Sequence, residues 1–576
     1  MISHRVIIVG GGLAGLRAAL ELRMRGVDVA VVSKVHPIRS HSCMAQGGIN
    51  AALGNHPDGA DDTPEKHAYD TVKGADFLAD QDAVETLTGA GVEAVIEMEH
   101  WGCPFTRFDD GRIAQRPFGG AGFPRTCYGA DKTGLYMLQT LYEQCVKWDI
   151  TFYEEFLVLS LIVREGRCFG VVAYEVATGE IHGMSARAVV FATGGAGRLY
   201  SRTSNSLIST GFGATMAYLA GAALKDMEFI QFHPTTLLGI NLTITEGLRG
   251  EGAYILNDEG ERFMARYVSE SVMERAPRDI TARAIQTEID EGRGIGGGEF
   301  VYLDARHLGA DWLNERYPGV VEACREFRKI DPAKEPIPVQ PGAHYTMGGI
   351  DVNADCETGI EGFYAAGECA CVSVHGANRL GGNSLLEAIV FGRRAGLSVA
   401  RYLEGRDGAA DGGRGSPAAL EDGVGGIEER LERMSAGSGE ENPAGLRKEM
   451  NRIMDNHVGI FRTEERLKLA VGGLREIEQR YARLRPIYGG KAFNYDLIWA
   501  FELSGTITLA GIVAAGALAR AESRGSHCRK DHPGRDDLGW LNHTIAHPGA
   551  DPGEDGPKLS YRPVTVTKWQ PEERTY

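Results

Sequence analysis

The sequence lacks any cysteine motif that could hold an iron–sulfur cluster. Its ten cysteines are scattered, no C-x-x-C occurs, and the closest pair is Cys369 and Cys371. Cluster-binding chains carry their cysteines in tight runs, whereas scattered cysteines are typical of buried thiols in a reducing compartment. We therefore expect no metal site in this chain.

The chain also lacks an excess of positive charge, with 61 basic against 78 acidic side chains and a net charge of −17. A nucleic-acid-binding protein needs a basic face to offset phosphate charge, so nucleic acid is not an expected partner. At 576 residues the chain is too long for one hydrophobic core, and we expect about two to four domains.

A convincing membrane span is missing as well. The main apolar run, Leu503–Ala519, is short, contains Gly, Ser and Thr, and is flanked by Glu502 and Arg520. A span needs about 20 apolar residues, so we interpret this run as a packed helix. Residues 1–5 are polar and Val6 already begins the core, so no leader is expected ahead of it. Membrane attachment is then expected only through a partner.

A nucleotide-binding turn lies at the N-terminus. Gly10, Gly12 and Gly15 form G-x-G-x-x-G directly after the apolar run Val6–Val9 and before a helical pattern. In such a unit the first glycine makes the turn, the second lets the backbone approach a pyrophosphate, and the third lets the helix pack on the strand. The helix N-terminus then faces the phosphate charge. The pattern predicts a dinucleotide site.

The dinucleotide is predicted to be FAD. An NAD site usually has an acidic residue at the end of the second strand, where this chain has Ser33 and Lys34. Two further glycine-rich hinges follow apolar runs, at residues 192–197 and 363–368. Many two-domain flavoproteins return past the cofactor with such a turn. Glu368, in the third hinge, is a candidate acid for the ribose.

The three hinges lie far apart in the chain, which indicates one nucleotide-binding domain interrupted by another. The fold class is predicted to be α/β, with a discontinuous Rossmann-like FAD-binding domain, an inserted α+β capping domain, a C-terminal helical domain and an extended tail. The expected boundaries are 1–227 and 344–404 for the FAD-binding domain, 228–343 for the capping domain, 405–445 for a linker holding a short charged helix, 446–521 for the helical domain and 522–576 for the tail.

Several longer segments make the resemblance to one family specific. They include S-K-V-H-P-I-R-S-H at 33–41, Q-R-P-F-G-G at 115–120, Q-F-H-P-T at 231–235, T-E-G-L-R-G-E-G at 245–252, P-R-D-I at 277–280, H-Y-T-M-G-G-I at 344–350 and H-G-A-N-R-L-G-G-N-S-L at 375–385. The chain resembles the flavoprotein subunit of succinate dehydrogenase and fumarate reductase. The similarity runs from Val6 to Tyr576, with gaps mainly at 405–445 and 548–557.

The resemblance implies a covalent cofactor. His41 holds the position of the family histidine that carries FAD through its 8α-methyl group; by itself, a loop histidine is more often simply solvated. The cofactor-binding set implied by the turn and the resemblance comprises Gly10, Gly12, Gly15, Ser33, Lys34, Ser40, His41, Gln46, Gly47, Gly48, Glu368, Asn383, Ser384 and Leu385.

The substrate site implied by the resemblance takes a C4 dicarboxylate. His233 and Thr245 match the residues that bind one carboxylate, and His344 and Arg379 match those that bind the other. An arginine suits this task because its planar fork grips a carboxylate with two hydrogen bonds. Phe118 and Gly119 match the wall of the pocket.

The proton-transfer residues come only from the resemblance. Arg278 matches the family's acid/base residue, although a histidine is the usual choice for that role and charge stabilisation is the alternative. Glu246 and Arg249 match a proton-delivery pair. An ordinary salt bridge is the alternative for these two, because they are three residues apart.

The implied reaction interconverts succinate and fumarate by hydride transfer to FAD. The electrons then leave to an iron–sulfur subunit and on to quinone. A membrane anchor below that subunit would hold the chain peripherally on the cytoplasmic or matrix face of an energy-transducing membrane. Gln46, where some fumarate reductases have Glu, favours succinate oxidation; the alternative is fumarate reduction.

Two competing functions differ in class. L-Aspartate oxidase has a similar site with non-covalent FAD, but it usually lacks the histidine at position 41 and the succinate-type tail. A non-catalytic FAD module, or a flavoprotein acting on tRNA, conflicts with the net charge of −17 and with the dicarboxylate motifs. One departure from the family lies at Phe212, where many members have an acid between the two glycines.

Overall fold

The computed structural model describes residues 1–406, 417–436, 439–485, 489–549 and 556–575. In chain order the strands are β1 (Ile2–Ser3), β2 (Val6–Val9), β3 (Val29–Ser33), β4 (Ile49–Asn50), β5 (Gln115–Arg116), β6 (Thr126–Cys127), β7 (Thr151–Glu154), β8 (Phe156–Arg164), β9 (Arg167–Glu175), β10 (Ile181–Ser185), β11 (Ala188–Phe191), β12 (Leu224–Lys225), β13 (Ile230–Leu237), β14 (Tyr254–Leu256), β15 (Val301–Asp304), β16 (Ile337–Thr346), β17 (Gly349–Asp351), β18 (Phe363–Ala365), β19 (Ala370–Cys371), β20 (Phe461–Arg462), β21 (Cys528–Arg529), β22 (Asn542–His547) and β23 (Lys558–Pro563). The α-helices are α1 (Leu13–Met24), α2 (Pro64–Gly74), α3 (Gln81–Gly89), α4 (Gly91–His100), α5 (Thr133–Lys147), α6 (Phe212–Leu219), α7 (Glu246–Gly250), α8 (Arg278–Asp290), α9 (Ala310–Arg316), α10 (Pro318–Ala323), α11 (Asn383–Glu404), α12 (Pro417–Ala436), α13 (Pro443–His457), α14 (Glu464–Tyr481) and α15 (Tyr495–Ala519).

A five-stranded parallel sheet organises the nucleotide-binding region, in the order β18-β11-β2-β3-β7. Strands β2, β3, β11 and β18 are buried along their whole length, as expected for a parallel sheet covered on both faces. The three glycine-rich hinges follow β2, β11 and β18, which are neighbours in the sheet. They therefore meet at one edge, and the predicted discontinuous Rossmann-like domain is confirmed.

The inserted segment forms its own antiparallel sheet, β13-β16-β15-β14, with a separate hydrophobic core. Apolar residues such as Leu237, Ile285 and Val339 fill this core, and helix α8 packs against β13. The α+β character expected for the capping domain is present. The boundaries 228–343 remain a prediction.

The segment predicted as a linker contains more structure than its composition indicated. Helix α12 is 20 residues long and buries Ala419, Leu420 and Ile427, and it packs against β8, β9 and β10. The helix could not be predicted over its full length because its glycines disfavour a helix interior. In the structure Gly423 allows close packing, since a Cβ there would lie 2.4 Å from Ile162. Residues 407–416 and 437–438 of the predicted linker lie outside the described residues.

Helices α13, α14 and α15 form the helical region that follows. Within the described part of the chain, α15 is the helix that is long and apolar enough to span a membrane, and 78% of its most apolar window is buried inside the protein. It packs against α14, α13 and α6. This burial agrees with the interpretation of Leu503–Ala519 as a packed helix.

The tail is not simply extended. Strands β22 and β23 pair with each other, and β22 joins β12 and β17 in the sheet β19-β17-β12-β22-β23. At this junction the buried ring of His543 lies between two carboxylates, with Nδ1 2.6 Å from Asp226 Oδ2 and Nε2 3.1 Å from Asp80 Oδ1. The tail is thus fastened to the nucleotide-binding region by a buried, charged contact.

We expect His543→Gln to destabilise the protein strongly at pH 6 and much less at pH 10. Burial alone would lower the pKa of His543, but Asp226 and Asp80 outweigh it and raise the pKa to about 9. Because folding raises this pKa, the stabilisation is fully present below the unfolded value of about 6.5 and is lost as the pH rises through about 9. It amounts to about 3 kcal/mol. Thermal unfolding of the wild-type and His543→Gln proteins at the two pH values measures this stabilisation. The control is His547→Gln, at a partly exposed histidine. A midpoint difference that is equal at both pH values would contradict this linkage.

Candidate active site

One continuous cavity runs from the glycine-rich turn to a group of cationic and imidazole side chains. Most of the sequence-predicted site residues line it: Gly10, Gly12, Ser33, Lys34, Ser40, His41, Gln46, Gly47, Gly48, Phe118, His233, Thr245, Glu246, Arg278, His344, Glu368, Arg379, Ser384 and Leu385. They come from segments more than 300 residues apart. The fold brings them together because the three hinges and the capping sheet meet at the same edge of the parallel sheet.

The glycine-rich turn requires glycine at two positions. Gly10 has φ +115°, and a Cβ there would lie 2.1 Å from the carbonyl oxygen of Ala192. A Cβ at Gly15 would lie 2.0 Å from the carbonyl oxygen of Gly10. Strand β2, the second hinge and helix α1 are therefore in direct backbone contact, and the N-terminus of α1 opens onto the cavity, as phosphate binding requires.

The cavity fits the FAD that the turn and the resemblance imply. Among the described residues, Ser40 Oγ, Gln46 Oε1, Thr193 Oγ1 and Arg379 Nε are buried polar atoms without a hydrogen-bond partner. Gly47 has no side chain, and none would fit, because a Cβ there would lie 2.8 Å from the ring of Phe118. The cavity wall is therefore flat at this point. A large ligand with polar edges and a planar ring satisfies both features.

The predicted proton-transfer residues are in contact with one another. Arg278, the first residue of α8, donates from Nε to Glu246 Oε2 at 2.7 Å and from Nη1 to Gln231 Oε1 at 3.0 Å. Arg249 Nη2 lies 3.7 Å from Glu246 Oε1, behind it. Burial alone would raise the pKa of Glu246, but Arg278 and Arg249 outweigh it and hold the pKa below its usual value. Glu246 is therefore ionised between two arginines.

Two histidines face each other in the same end of the cavity. The rings of His233 and His344 are 5.0 Å apart, edge to face. His233 Nδ1 accepts a hydrogen bond from the Thr235 backbone N–H at 3.2 Å, so the neutral ring carries its proton on Nε2. His344 Nδ1 is hydrogen-bonded to Ser204 Oγ at 2.7 Å. Burial, followed by nearby charged or ionisable groups, holds the pKa of each well below its usual value. Both rings are neutral at physiological pH.

Arg379 is held by an aromatic and hydrogen-bonded network. Its guanidinium lies 4.4 Å from the centre of the Tyr345 ring and donates to Ser384 Oγ at 3.1 Å. Tyr345 in turn donates to Glu387 at 2.6 Å, and His375 lies 3.0 Å from the same carboxylate oxygen. Burial, and then the like charge of Arg278, lower the pKa of Arg379 to about 9. The side chain is positioned from behind, with its charge toward the cavity.

His41 and Glu368 both line the cavity and are partly buried. Burial lowers the pKa of His41 to about 4, and its Nδ1 accepts from the Ser206 N–H at 3.4 Å. Burial raises the pKa of Glu368 to about 7, and its Oε1 accepts from the Thr346 N–H at 3.1 Å. Glu368 also packs on Gly195, where a Cβ would lie 2.1 Å from its Oε1. His41 is therefore a neutral imidazole, available as a nucleophile.

Four predicted residues lie behind the cavity wall rather than on it: Gly15, Gly119, Arg249 and Asn383. Gly119 lets Glu246 approach, because a Cβ there would lie 2.5 Å from Glu246 Oε1. Asn383 is fully buried at the start of α11 and bonds to Asn50, His67 and Thr71. Its place in the binding set remains a prediction, but its visible contacts support the loop rather than the cavity.

Sequence reasoning assigned no role to Gln231, Ser204, Tyr345 or Glu387. Gln231 and Tyr345 lie inside the motifs at 231–235 and 344–350. Their position beside His233 and His344 in the sequence could have indicated that they belong to the site. Ser204 and Glu387 gave no local signal, because only the fold places them against His344 and Tyr345.

Comparison with known proteins decides the family. The FAD binding domain family matches residues 5–385, and the fumarate reductase flavoprotein C-terminal family matches residues 447–576. A fumarate reductase flavoprotein subunit of Mycobacterium tuberculosis is 42% identical over 586 residues, which cover 100% of this chain and 99% of the relative. The chain belongs to the succinate dehydrogenase and fumarate reductase flavoprotein family.

Relatives from both branches of this family are similar to the chain. A succinate dehydrogenase flavoprotein subunit of Rickettsia bellii is 43% identical, covering 98% of this chain and 96% of the relative. A solved structure of a mutant E. coli quinol fumarate reductase is 40% identical with a TM-score of 0.94, covering 100% and 99% of the two chains. This flavoprotein is an oxidoreductase that acts on CH–CH donors and interconverts succinate and fumarate. The predicted fold class and the FAD-binding domain are confirmed.

Proposed function

We propose that this flavoprotein oxidises succinate with covalently attached FAD, and passes the electrons to an iron–sulfur subunit and then to quinone. The observation that carries the proposal is the convergence of His233, His344, Arg379 and Arg278 at one end of the cavity whose wall includes His41. When bound, FAD supplies the hydride acceptor. The protein's own residues must then bind a dianion, orient its central carbons and move one proton.

Two groups of side chains can hold the two carboxylates. His233 offers an N–H from Nε2, and Thr245 offers its hydroxyl proton while its oxygen caps α7 by accepting from the Gly247 N–H at 3.3 Å. His344 and Arg379 lie in the same end of the cavity and would take the other carboxylate. Fixing both ends of a short dicarboxylate restricts the position of its central bond, which is how positioning lowers the barrier.

Arg278 is the best candidate for proton transfer, because it lies on the cavity wall and its hydrogen bond to Glu246 links it to further ionisable groups. The pKa values of His233 and His344 lie well below the usual range, so neither ring readily takes up the proton that succinate oxidation releases. The Arg278 guanidinium is a cation at the cavity wall. Glu246 Oε2 lies 2.7 Å from Arg278 Nε, so the two side chains can exchange a proton. Arg249 stands behind Glu246, which extends the chain of ionisable groups away from the substrate.

The direction of the reaction is proposed from Gln46. Its Oε1 is buried beside Gly47 and Phe118 without a partner among the described residues. A neutral amide places no negative charge near the ring, whereas a carboxylate would disfavour taking up electrons. This favours an electron-accepting flavin and hence succinate oxidation, with fumarate reduction as the alternative.

The partners are proposed from the cysteine pattern of the chain and the burial of α15. No cysteine run for a cluster occurs in the sequence, which supports assigning the next electron transfer to another subunit. Among the described residues, helix α15 is long and apolar enough to span a membrane, and it is mostly buried in the protein, which supports attachment through partners. We place the protein peripherally on the cytoplasmic or matrix face of an energy-transducing membrane.

Anaerobic addition of succinate to the purified holoprotein tests the proposed function. The visible flavin band should bleach with succinate and stay unchanged with L-aspartate. Bleaching by aspartate would assign an aspartate oxidase instead. If the flavin in the complete native complex does not bleach with succinate, the proposed substrate is wrong. Comparing the steady-state rates of both directions in that complex tests the assignment from Gln46.

Covalent attachment through His41 predicts that flavin survives denaturation. The unfolded chain should show flavin fluorescence on a denaturing gel, because His41 would hold FAD by a covalent bond, and burial keeps its imidazole neutral and nucleophilic. His41→Ala should abolish that fluorescence while native protein still binds FAD. His36→Ala, in the same loop, is the control and should keep it. Fluorescence that persists in the His41 variant would place the link elsewhere.

A further inference from the structure

A buried carboxylate from the C-terminal helical region lies on the cavity wall. Glu502, on α15, is 2% exposed and accepts from Lys34 Nζ at 2.7 Å on both Oε1 and Oε2. Thr210 Oγ1 lies 3.3 Å from Oε1. Both Lys34 and Glu502 line the cavity, although they are 468 residues apart in the chain. This carboxylate has no part in the site described above.

Its position is where a dinucleotide fold needs an acid. In a βαβ unit the residue at the end of the second strand binds the ribose hydroxyls of the adenosine half. Here that strand, β3, ends at Ser33 and is followed by Lys34. The chain has a cation where the acid is expected, and Glu502 places a carboxylate directly on that cation.

The neighbouring wall is closed by an aromatic residue instead of an acid. Phe212, the first residue of α6, packs edge to face on Phe501 of α15, with ring centres 5.8 Å apart. It fits there because Gly505 has no side chain; a Cβ at Gly505 would lie 2.6 Å from the Phe212 ring. Helix α15 therefore approaches closely at the point where Glu502 enters the cavity.

We propose that Glu502 binds the ribose hydroxyls of the adenosine half of FAD and that Lys34 positions it. A carboxylate has about four acceptor sites; Lys34 and Thr210 use three, which leaves Oε2 able to accept from a ligand hydroxyl. Lys34 also offsets the negative charge of Glu502 next to a pyrophosphate. Glu368, the acid first expected for this ribose, accepts from the Thr346 N–H at the end of β16 and packs on Gly195 in the second hinge instead. The C-terminal helical region is thus part of the cofactor site.

Nucleotides that lack one hydroxyl test this proposal without relying on activity. The full chain with His41→Ala is freed of flavin, and its affinities for ADP, 2′-deoxy-ADP and 3′-deoxy-ADP are measured by calorimetry. ADP should bind about tenfold tighter than at least one deoxy analogue, as expected for a hydrogen bond to a charged group. Equal affinity for all three nucleotides would overturn the proposal, and this result needs no variant at Glu502.

Variants then assign the hydroxyl preference to one carboxylate. Glu502→Gln should weaken ADP binding about tenfold and remove the preference, while Glu368→Gln keeps it. Glu464→Gln, at an exposed carboxylate of α14, should change neither. If Glu502 only ties α15 to β3 through Lys34, Glu502→Gln will lower the thermal midpoint but leave the preference intact, and the proposal is wrong.

Discussion

Replacing Arg278 with lysine is expected to lower kcat for succinate oxidation by about 10²- to 10⁴-fold, the usual share of a positioned acid/base group. The guanidinium contacts Glu246 and Gln231 at once, at 2.7 and 3.0 Å. A lysine is a point charge on a flexible stem and cannot keep both contacts while facing the substrate. It retains the positive charge, so the loss reports proton transfer rather than charge.

The measurement pairs kcat with the affinity for malonate, a dicarboxylate that does not react, read from the perturbed flavin spectrum. Arg278→Lys should change malonate affinity much less than kcat. Arg283→Lys is the matched control, because Arg283 lies on the same helix and contacts Gly525 and Asp279 instead of the cavity. Full turnover in the Arg278→Lys protein would end the proton-transfer assignment and leave Arg278 with a purely electrostatic role.

The nucleotide-binding half of the fold could be predicted because its signals are local. The strand, turn and helix around Gly10–Gly15 carry their pattern within a few residues, and each of the other two hinges directly follows its own apolar strand. Helix α12 was underestimated because its glycines resemble a linker, and its burial depends on β8–β10. The pairing of β22 with β12 was equally hidden, since a polar tail shows no reason to form strands until its partner is known.

The site residues also divide into those that the sequence could identify and those that only the folded chain identifies. Residues inside long motifs, such as His233, Arg278 and Arg379, were found from the resemblance and lie together in the cavity. Asn383 shared a motif with cavity residues but turns toward Asn50, His67 and Thr71, because neighbours in a helix face different directions. Glu502 could not be found from the sequence, since its meaning depends on a contact with Lys34 that only the folded chain creates.

Replacing Arg379 with glutamine is expected to weaken dicarboxylate binding about 100-fold, because a buried carboxylate loses its charged partner. Arg379 is 3% exposed, so little water can take over its role. The wild-type affinity should also depend on pH. Burial and Arg278 lower the pKa of Arg379 to about 9, and only the protonated side chain attracts the dianion. Affinity should therefore be constant at neutral pH and fall as the pH rises through about 9.

Malonate titrations from pH 7 to pH 10 separate these two effects. The Arg379→Gln protein should bind weakly at every pH, without the alkaline fall that wild type shows. Arg401→Gln, on the exposed face of α11, should keep both the affinity and its pH dependence. Tyr345→Phe should behave nearly like wild type in affinity, since the ring under the guanidinium remains while the bond to Glu387 is lost. If the Arg379→Gln protein binds malonate as tightly as wild type, Arg379 does not bind the second carboxylate. His344, together with His233 and Thr245, would then hold the substrate.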